Sequence, residues 1–134
     1  MGAATVIGAP LMIGGRVLSL SRAIRAGDFV FLTGQIPMRD GAVVTEGSIE
    51  IQTRIVLDLI AATLAEAGCG LSDVVKSMIW LRERADFPAF NAVYSEYFPD
   101  RPPARSAVVS ELLVDVRVEI EVVAYKPQPC GTLP

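Results

Sequence analysis

From Asp115 to Val122 charged and apolar residues alternate: Val116, Val118, Ile120 and Val122 fall on one parity, with Ala124 continuing it, and Asp115, Arg117, Glu119 and Glu121 on the other. A period of two puts every apolar side chain on one face of a β-strand and every charge on the opposite face. A helix would scatter the same residues around its circumference. A strand over 114–125 therefore needs a layer of structure against its Val/Ile face.

The chain provides that layer in segments of a different period. Ile51, Ile55, Leu59 and Ala62 recur at helical spacing, and Val56, Ile60 and Leu64 widen the stripe. Ser48 is placed to cap this helix, with Ile51 rather than Glu at the capping-box position, and Gly68 is placed to end it, so a helix is expected over 48–67. Asp86 is placed to cap a second helix carrying the aromatic row Phe87, Phe90, Tyr94 and Tyr97, which Pro99, Pro102 and Pro103 terminate. That row reads as packing against a sheet. The run Val74–Leu81 (VVKSMIWL) and Ala104–Ser110 read as strands. Arg16–Ser21 and Phe29–Thr33 read as a hairpin around Ala26-Gly27-Asp28, and Asp40-Gly41 marks a further tight turn. The expected order is β-β-α-β-α-β-β, an α+β domain with two helices on one face of a mixed sheet. The 134 residues, 51% of them hydrophobic, suit a single domain over 1–134 with one core, a loose N-terminal extension at 1–15 and a C-terminal tail at 127–134. VVKSMIWL is apolar on both sides and no helix is left to cover the second face, so self-association, sheet against sheet, is expected.

The composition removes several kinds of chemistry. There is no histidine, which excludes Ser-His-Asp and Cys-His nucleophiles, His-ligated metals and imidazole acid–base catalysis. A net charge of −3 argues against a nucleic-acid or anionic-membrane partner. Cys69 and Cys130 are far apart and read as reduced thiols of a cytosolic protein. No apolar run is long enough for a transmembrane helix, and the apolar opening lacks the basic start of a signal peptide. The chain reads as soluble and cytoplasmic.

What is left is carboxylates, arginine, lysine, hydroxyls and backbone. Arg105 follows Pro102-Pro103-Ala104, so its fork is presented from a stiff segment; it either holds a carboxylate or phosphate, or is a rim arginine paired with Glu96 or Asp100. Glu119 either orients a water from the polar side of its strand or pairs with Arg117 on a solvated face. In Thr33-Gly34-Gln35 the glycine permits close approach to a ligand or marks a bulge. Asn91, among the helix aromatics, reads mainly as structural, and Lys76 is a Schiff-base candidate only if buried.

Taken together, several blocks resemble one family: Thr33-Gly34-Gln35-Ile36-Pro37, Gln52-Thr53-Arg54, Val74-Val75-Lys76, Asp86-Phe87 with Asn91, Tyr94 and Phe98, Pro103-Ala104-Arg105-Ser106, and Glu119-Ile120-Glu121. In order and spacing, from about 16 to 126, they resemble the Rid family, also called YjgF or L-PSP, the reactive-intermediate deaminases. The resemblance implies a chorismate-mutase-like fold and a homotrimer whose sheets form a central barrel, with clefts between subunits. It implies hydrolysis of enamine and imine intermediates such as 2-aminoacrylate or 2-imino acids to 2-keto acids and ammonia, without metal or organic cofactor. Carried over residue by residue, Arg105 grips the substrate carboxylate and Glu119 positions the attacking water. Thr33, Gly34 and Asn91 line the cleft, and backbone amides around Ala107 help hold the substrate. Leu20 stands near a position where the best-studied members have tyrosine, and Ala107 replaces a cysteine. A sibling enzyme acting on another enamine, such as a 2-aminomuconate-like compound, or a non-catalytic trimer that binds small carboxylates, are the alternatives. The family's ribonuclease label fits poorly with an acidic chain lacking histidine.

Overall fold

The alternating segment occupies the interior of a six-stranded sheet, flanked on both sides as its period requires. A computed structural model describes residues 3–128. In chain order the elements are β1 (Thr5–Ile7), β2 (Met12–Ile13), β3 (Arg16–Val17), β4 (Ala23–Ala26), β5 (Phe29–Leu32), β6 (Met38–Arg39), β7 (Ala42–Val43), α1 (Ile49–Glu66), β8 (Val74–Leu81), α2 (Phe87–Tyr97), β9 (Ala104–Val109) and β10 (Val118–Tyr125). The sheet runs β1-β4-β5-β10-β8-β9. Every pairing in it is antiparallel except β8 with β9, which the intervening α2 makes parallel. The strands β2–β3 and β6–β7 form two small separate ribbons.

Both helices lie on one face. Val56, Leu57, Ile60 and Leu64 of α1 and Phe90 and Tyr94 of α2 form one core with Val30, Leu32, Ile79, Leu81, Val118, Ile120 and Val122 of the sheet. Of the aromatic row, Phe90 and Tyr94 are core packing, with Phe90 fully buried and Tyr97 partly buried against them, while Phe87 is exposed. Helix α1 starts where Ser48 Oγ accepts from the Ile51 N–H at 3.2 Å. It ends before Gly68, whose φ of 76° is the left-handed conformation that closes a helix. Arg54 binds Glu96 through both nitrogens (2.9 and 3.1 Å) and Tyr97 Oη donates to Asp58 at 2.8 Å, fastening α1 to α2. Among the described residues no helix is long and apolar enough to cross a membrane.

The expected order of strands and helices holds, with four corrections. The N-terminal segment is not loose: β1 pairs with β4 at the sheet edge, and Leu11 is buried. The first hairpin strand is Ala23–Ala26 rather than 16–21, since Arg16–Val17 pairs only with Met12–Ile13. Asp86 precedes α2 but makes no side-chain cap; its carboxylate instead accepts from Arg117 Nη1 at 3.2 Å. The final strand begins at Val118: the Arg117 carbonyl still accepts from the Arg82 N–H at 3.1 Å, but the Arg117 N–H is taken by Gln52 Oε1 of α1 at 2.8 Å. Residues 129–134, including Cys130, lie outside the described residues, while Cys69 is a buried free thiol. Asp40 and Gly41, with φ of 53° and 79°, form the β6–β7 turn that their sequence predicted.

Among the described residues no helix covers the second face of the sheet. Val6, Phe29, Phe31 and Tyr125 are exposed there, and the Phe29 and Tyr125 rings lie 5.0 Å apart. Strand parity places Lys76, Met78, Trp80, Glu119 and Glu121 on this same face.

Candidate functional site

Arg105 is fixed on the helix side of the sheet. It sits opposite Ser77 in the β8–β9 register, which points it at α2. There Arg105 Nη1 donates to Asn91 Oδ1 at 2.8 Å. Its guanidinium carbon lies 4.8 Å from the Tyr94 ring centre and 5.5 Å from that of Phe87. Tyr94 is itself held from below, with its hydroxyl 2.6 Å from Ser77 Oγ, and burial pushes its phenol above the usual range despite that bond and the nearby Arg105. The ring therefore stays neutral and offers its π face to the cation. Neither carboxylate that could have neutralised Arg105 does so: Glu96 is taken by Arg54, and Asp100 makes no ion pair with it. Among the described residues the rest of the guanidinium fork is unpaired, and a cavity of about 250 Å³ opens in front of it, lined by Asn91, Tyr94, Ser95, Phe98, Pro102 and Pro103.

Phe87 and Tyr94 are site residues that sequence reading assigned only to the core. Phe87, Asn91 and Tyr94 fall at i, i+4 and i+7, one stripe of α2, and that stripe faces the only arginine that follows the Pro-Pro segment within β9. A neighbouring cavity of about 550 Å³ is lined by Leu81, Arg84, Phe87, Ala107, Val108 and Val109. Phe87 lines only this second cavity, while the Arg105 guanidinium, 5.5 Å from the Phe87 ring centre, lines only the first. Ala107 is exposed, on the outermost strand of the sheet, where the outward N–H and C=O groups of β9 have no strand partner among the described residues.

Glu119 belongs to a second cluster. It is half-buried on β10 opposite Trp80, and it does not pair with Arg117, which is held by Asp86 and by the Gly47 carbonyl. Gln35 exchanges two backbone bonds with Ile120 (2.8 and 3.0 Å), which brings Gly34 directly over the Glu119 carboxyl. A Cβ on Gly34 would fall inside the contact radius of Glu119 Oε2 and 3.2 Å from Cδ. The glycine there is a matter of room for the carboxyl. Burial, and secondarily the charge of Glu121, pushes the Glu119 carboxyl above the ordinary glutamate range. Thr33 is half-buried beside Gly34, its N–H donating to the Arg22 carbonyl at 3.0 Å. Leu20 is 40% exposed two residues before Arg22, at the same end of the sheet.

The chain thus brings Arg105, Asn91 and Ala107 together on one strand and helix, and Thr33, Gly34 and Glu119 together elsewhere, but it does not join the two groups. Glu119, Trp80 and Val108 are in register across β10, β8 and β9 and share a face. Arg105 and Ala107 have the opposite parity and lie on the helix side. Lys76 is exposed in the single chain, on the face of the sheet that carries Glu119. Among the described residues no group of three or more His, Cys, Asp or Glu side chains is placed to hold a metal ion.

The profile of the endoribonuclease L-PSP family matches residues 16–126. A RutC family protein of Pyrococcus horikoshii is 50% identical over 109 residues, 79% of this chain and 86% of that protein. The 3-aminoacrylate deaminase RutC of Acinetobacter baylyi is 42% identical over 105 residues, 77% of this chain and 83% of its own. The crystal structure of E. coli TdcF with bound serine superposes with a TM-score of 0.80 at 27% identity, covering 91% of this chain and 98% of that one.

Proposed function

Because the chain belongs to the endoribonuclease L-PSP family, whose members include a 3-aminoacrylate deaminase, we propose that it hydrolyses enamine or imine derivatives of small carboxylic acids to 2-keto acids and ammonia. The observation that carries this reading is Arg105: a guanidinium braced by Asn91, Tyr94 and Phe87, facing a cavity and paired with no carboxylate among the described residues. Such a fork is preorganised for a substrate carboxylate. An enamine first tautomerises to the imine. Water then adds to the C=N carbon as Glu119 takes a proton from it, and the C=N electron pair moves to nitrogen, which is protonated. The resulting carbinolamine loses ammonia as the C=O bond forms and the hydroxyl proton is released. Imines are already electrophilic, so positioning the acid and aiming a water supply most of what the step needs.

Arg105 and Glu119 lie on opposite faces of one sheet, so in this reading one copy supplies Arg105, Asn91 and Ala107 and a neighbouring copy supplies Glu119, Gly34, Thr33 and Leu20. The exposed Phe29, Phe31 and Tyr125 on the Glu119 face support an assembly that buries that face, in keeping with the homotrimer the family resemblance implies. A second reading, a carboxylate-binding protein without turnover, is favoured by the amino acid held in the TdcF structure. The discriminating experiment generates 2-aminoacrylate or 2-iminobutanoate in situ with a dehydratase and follows keto-acid release. Acceleration over the spontaneous rate that is lost in Arg105→Ala supports the deaminase. No acceleration, with binding of a small carboxylate that depends on Arg105, supports the second reading.

The raised Glu119 carboxyl gives a pH signature. If its carboxylate form is the working one, kcat rises with pH through a value above the ordinary glutamate range, and Glu119→Gln removes that limb. Stability follows the opposite sign. A carboxyl whose folded pKa is raised binds its proton more tightly when folded, so its contribution is present below the unfolded value and is lost as pH rises through the folded one. Glu119→Gln is therefore expected to be at least as stable as the parent at neutral pH while less active. Melting curves and a pH–rate profile check both; a less stable glutamine variant at neutral pH contradicts the assignment of Glu119 as an unpaired, desolvated acid.

A further inference from the structure

A cavity of about 150 Å³ lies where the β2–β3 and β6–β7 ribbons meet α1, and the deaminase reading gives it no role. It shares no lining residue with the cavity in front of Arg105. Gln35, which lines it, pairs with Ile120 and so directs its side chain to the helix face of the sheet, away from Glu119. Gln35 is only 3% exposed, and its Nε2 has no hydrogen-bond partner. Buried donors without an acceptor are rare in folded proteins, because the bond to water lost on folding is not replaced. Arg22 lines the same cavity and is half-buried. Its Nε donates to the Ala9 carbonyl at 3.2 Å, but its guanidinium makes no ion pair among the described residues. Glu66, which approaches the Arg22 side chain beside Gly8, is not paired with it either. Arg39 and Asp40 at the rim are exposed neighbours of opposite charge, so the positive charge of Arg22 stands unbalanced.

Charge, polarity and size together define an occupant. Both Gln35 Nε2 and the Arg22 fork are donors in want of an acceptor, and the arginine calls for a negative one. The remaining walls are apolar: Leu11, Met12, Met38 and Leu59. The volume matches about five waters at about 30 Å³ each, hence a molecule of roughly five non-hydrogen atoms. We propose that this cavity is a second ligand site, independent of the chemistry at Arg105, that takes a small aliphatic carboxylate. Its oxygens accept from Gln35 Nε2 and Arg22, and its short carbon chain lies against Leu11, Met38 and Leu59. A water satisfies Gln35 but leaves the arginine and the apolar walls without a counterpart. Inorganic phosphate satisfies the donors but gains nothing from the apolar walls.

The test uses the full chain carrying Arg105→Ala, which removes the other proposed carboxylate grip, and titrates it calorimetrically with propanoate. The expected result is one propanoate bound per chain, with affinity lowered about tenfold or more by adding Arg22→Met, the size of a lost charge-assisted hydrogen bond. Adding Gln35→Leu has the same direction, and without ligand it costs little stability, since the Nε2 it removes makes no bond. Nuclear magnetic resonance gives a direct readout. The side-chain amide signals of Gln35, assigned by their loss in Gln35→Leu, shift on adding propanoate to the Arg105→Ala chain and stay in place when Arg22→Met is added. Should Gln35→Leu fold poorly, Arg22→Met decides alone, because its side chain reaches solvent and holds no part of the core. Three results overturn the proposal: no propanoate bound by the Arg105→Ala chain, binding that Arg22→Met leaves unchanged, or propanamide or inorganic phosphate binding as tightly as propanoate. The parent chain reports on the Arg105 reading separately. If it binds no more propanoate than Arg105→Ala does, the grip at Arg105 falls while this second site stands.

Discussion

Arg105→Ala is expected to lower kcat/KM on a small 2-imino acid by roughly 10²–10³-fold, with little loss of stability. The magnitude follows from what the guanidinium would supply: charge-assisted hydrogen bonds to a carboxylate, each worth about 1.5–3 kcal/mol, in a partly enclosed site. The small stability change follows from what it supplies to the fold, a single bond to Asn91 and two ring contacts on a half-buried side chain, together about 1–2 kcal/mol. Arg105→Lys sharpens the point. Lysine keeps the charge but not the planar fork that lies across Tyr94 and meets Asn91, so it recovers only part of the lost rate. A lysine variant as active as the parent contradicts a bidentate grip. The same substitution also tests where the site is built. Arg105→Ala and Glu119→Gln chains are each expected to be inactive alone. Co-refolded, they form mixed assemblies in which some sites draw an intact Arg105 from one copy and an intact Glu119 from the next, and activity partly returns. Recovery is impossible if both residues act from the same chain, so a mixture as inactive as its components contradicts the inter-subunit site.

The parts of this molecule that sequence disclosed are those in which a periodic pattern and a single burial direction coincide. Helix α1 has Ser48, a wide apolar stripe and Gly68 at the right distances, and it forms within one residue of expectation. Strand β8 has turn chemistry at both ends and matches its expected range. Strand β1 was illegible because three residues cannot show a period, and its stability comes from pairing with β4, far along the chain. Asp86 looked like a cap because local sequence cannot show that Arg117 claims its carboxylate. For the site, local sequence suggested an arginine after Pro-Pro and a glutamate on a polar strand side, and family resemblance gave them roles. Neither the braces of Arg105 nor the separation of Arg105 from Glu119 could be read in advance. The first depends on α2 packing over β9. The second depends on strand register, where a shift of one residue would reverse the face.

Gly34→Ala is expected to cost little stability and most of the activity. The alanine Cβ would collide with the Glu119 carboxyl rather than with backbone. The end of a flexible side chain can swing aside, so the fold adjusts at a cost of about 1 kcal/mol or less. Swinging aside is what the proposed chemistry cannot tolerate, because a carboxylate displaced by about 1 Å no longer aims its water, a loss of order 10²-fold. The loss should appear in kcat rather than KM, since Arg105 and the cavity in front of it are untouched. The double variant Gly34→Ala/Glu119→Gln separates this from general damage. If alanine acts only by moving Glu119, it costs nothing further once the carboxylate is gone, and the two effects are strongly non-additive. Additive losses would mean that Gly34 serves the reaction by another route, such as close approach of its backbone to the ligand. An alanine variant with unchanged kcat would remove Glu119 from the mechanism, leaving its raised carboxyl a consequence of burial alone.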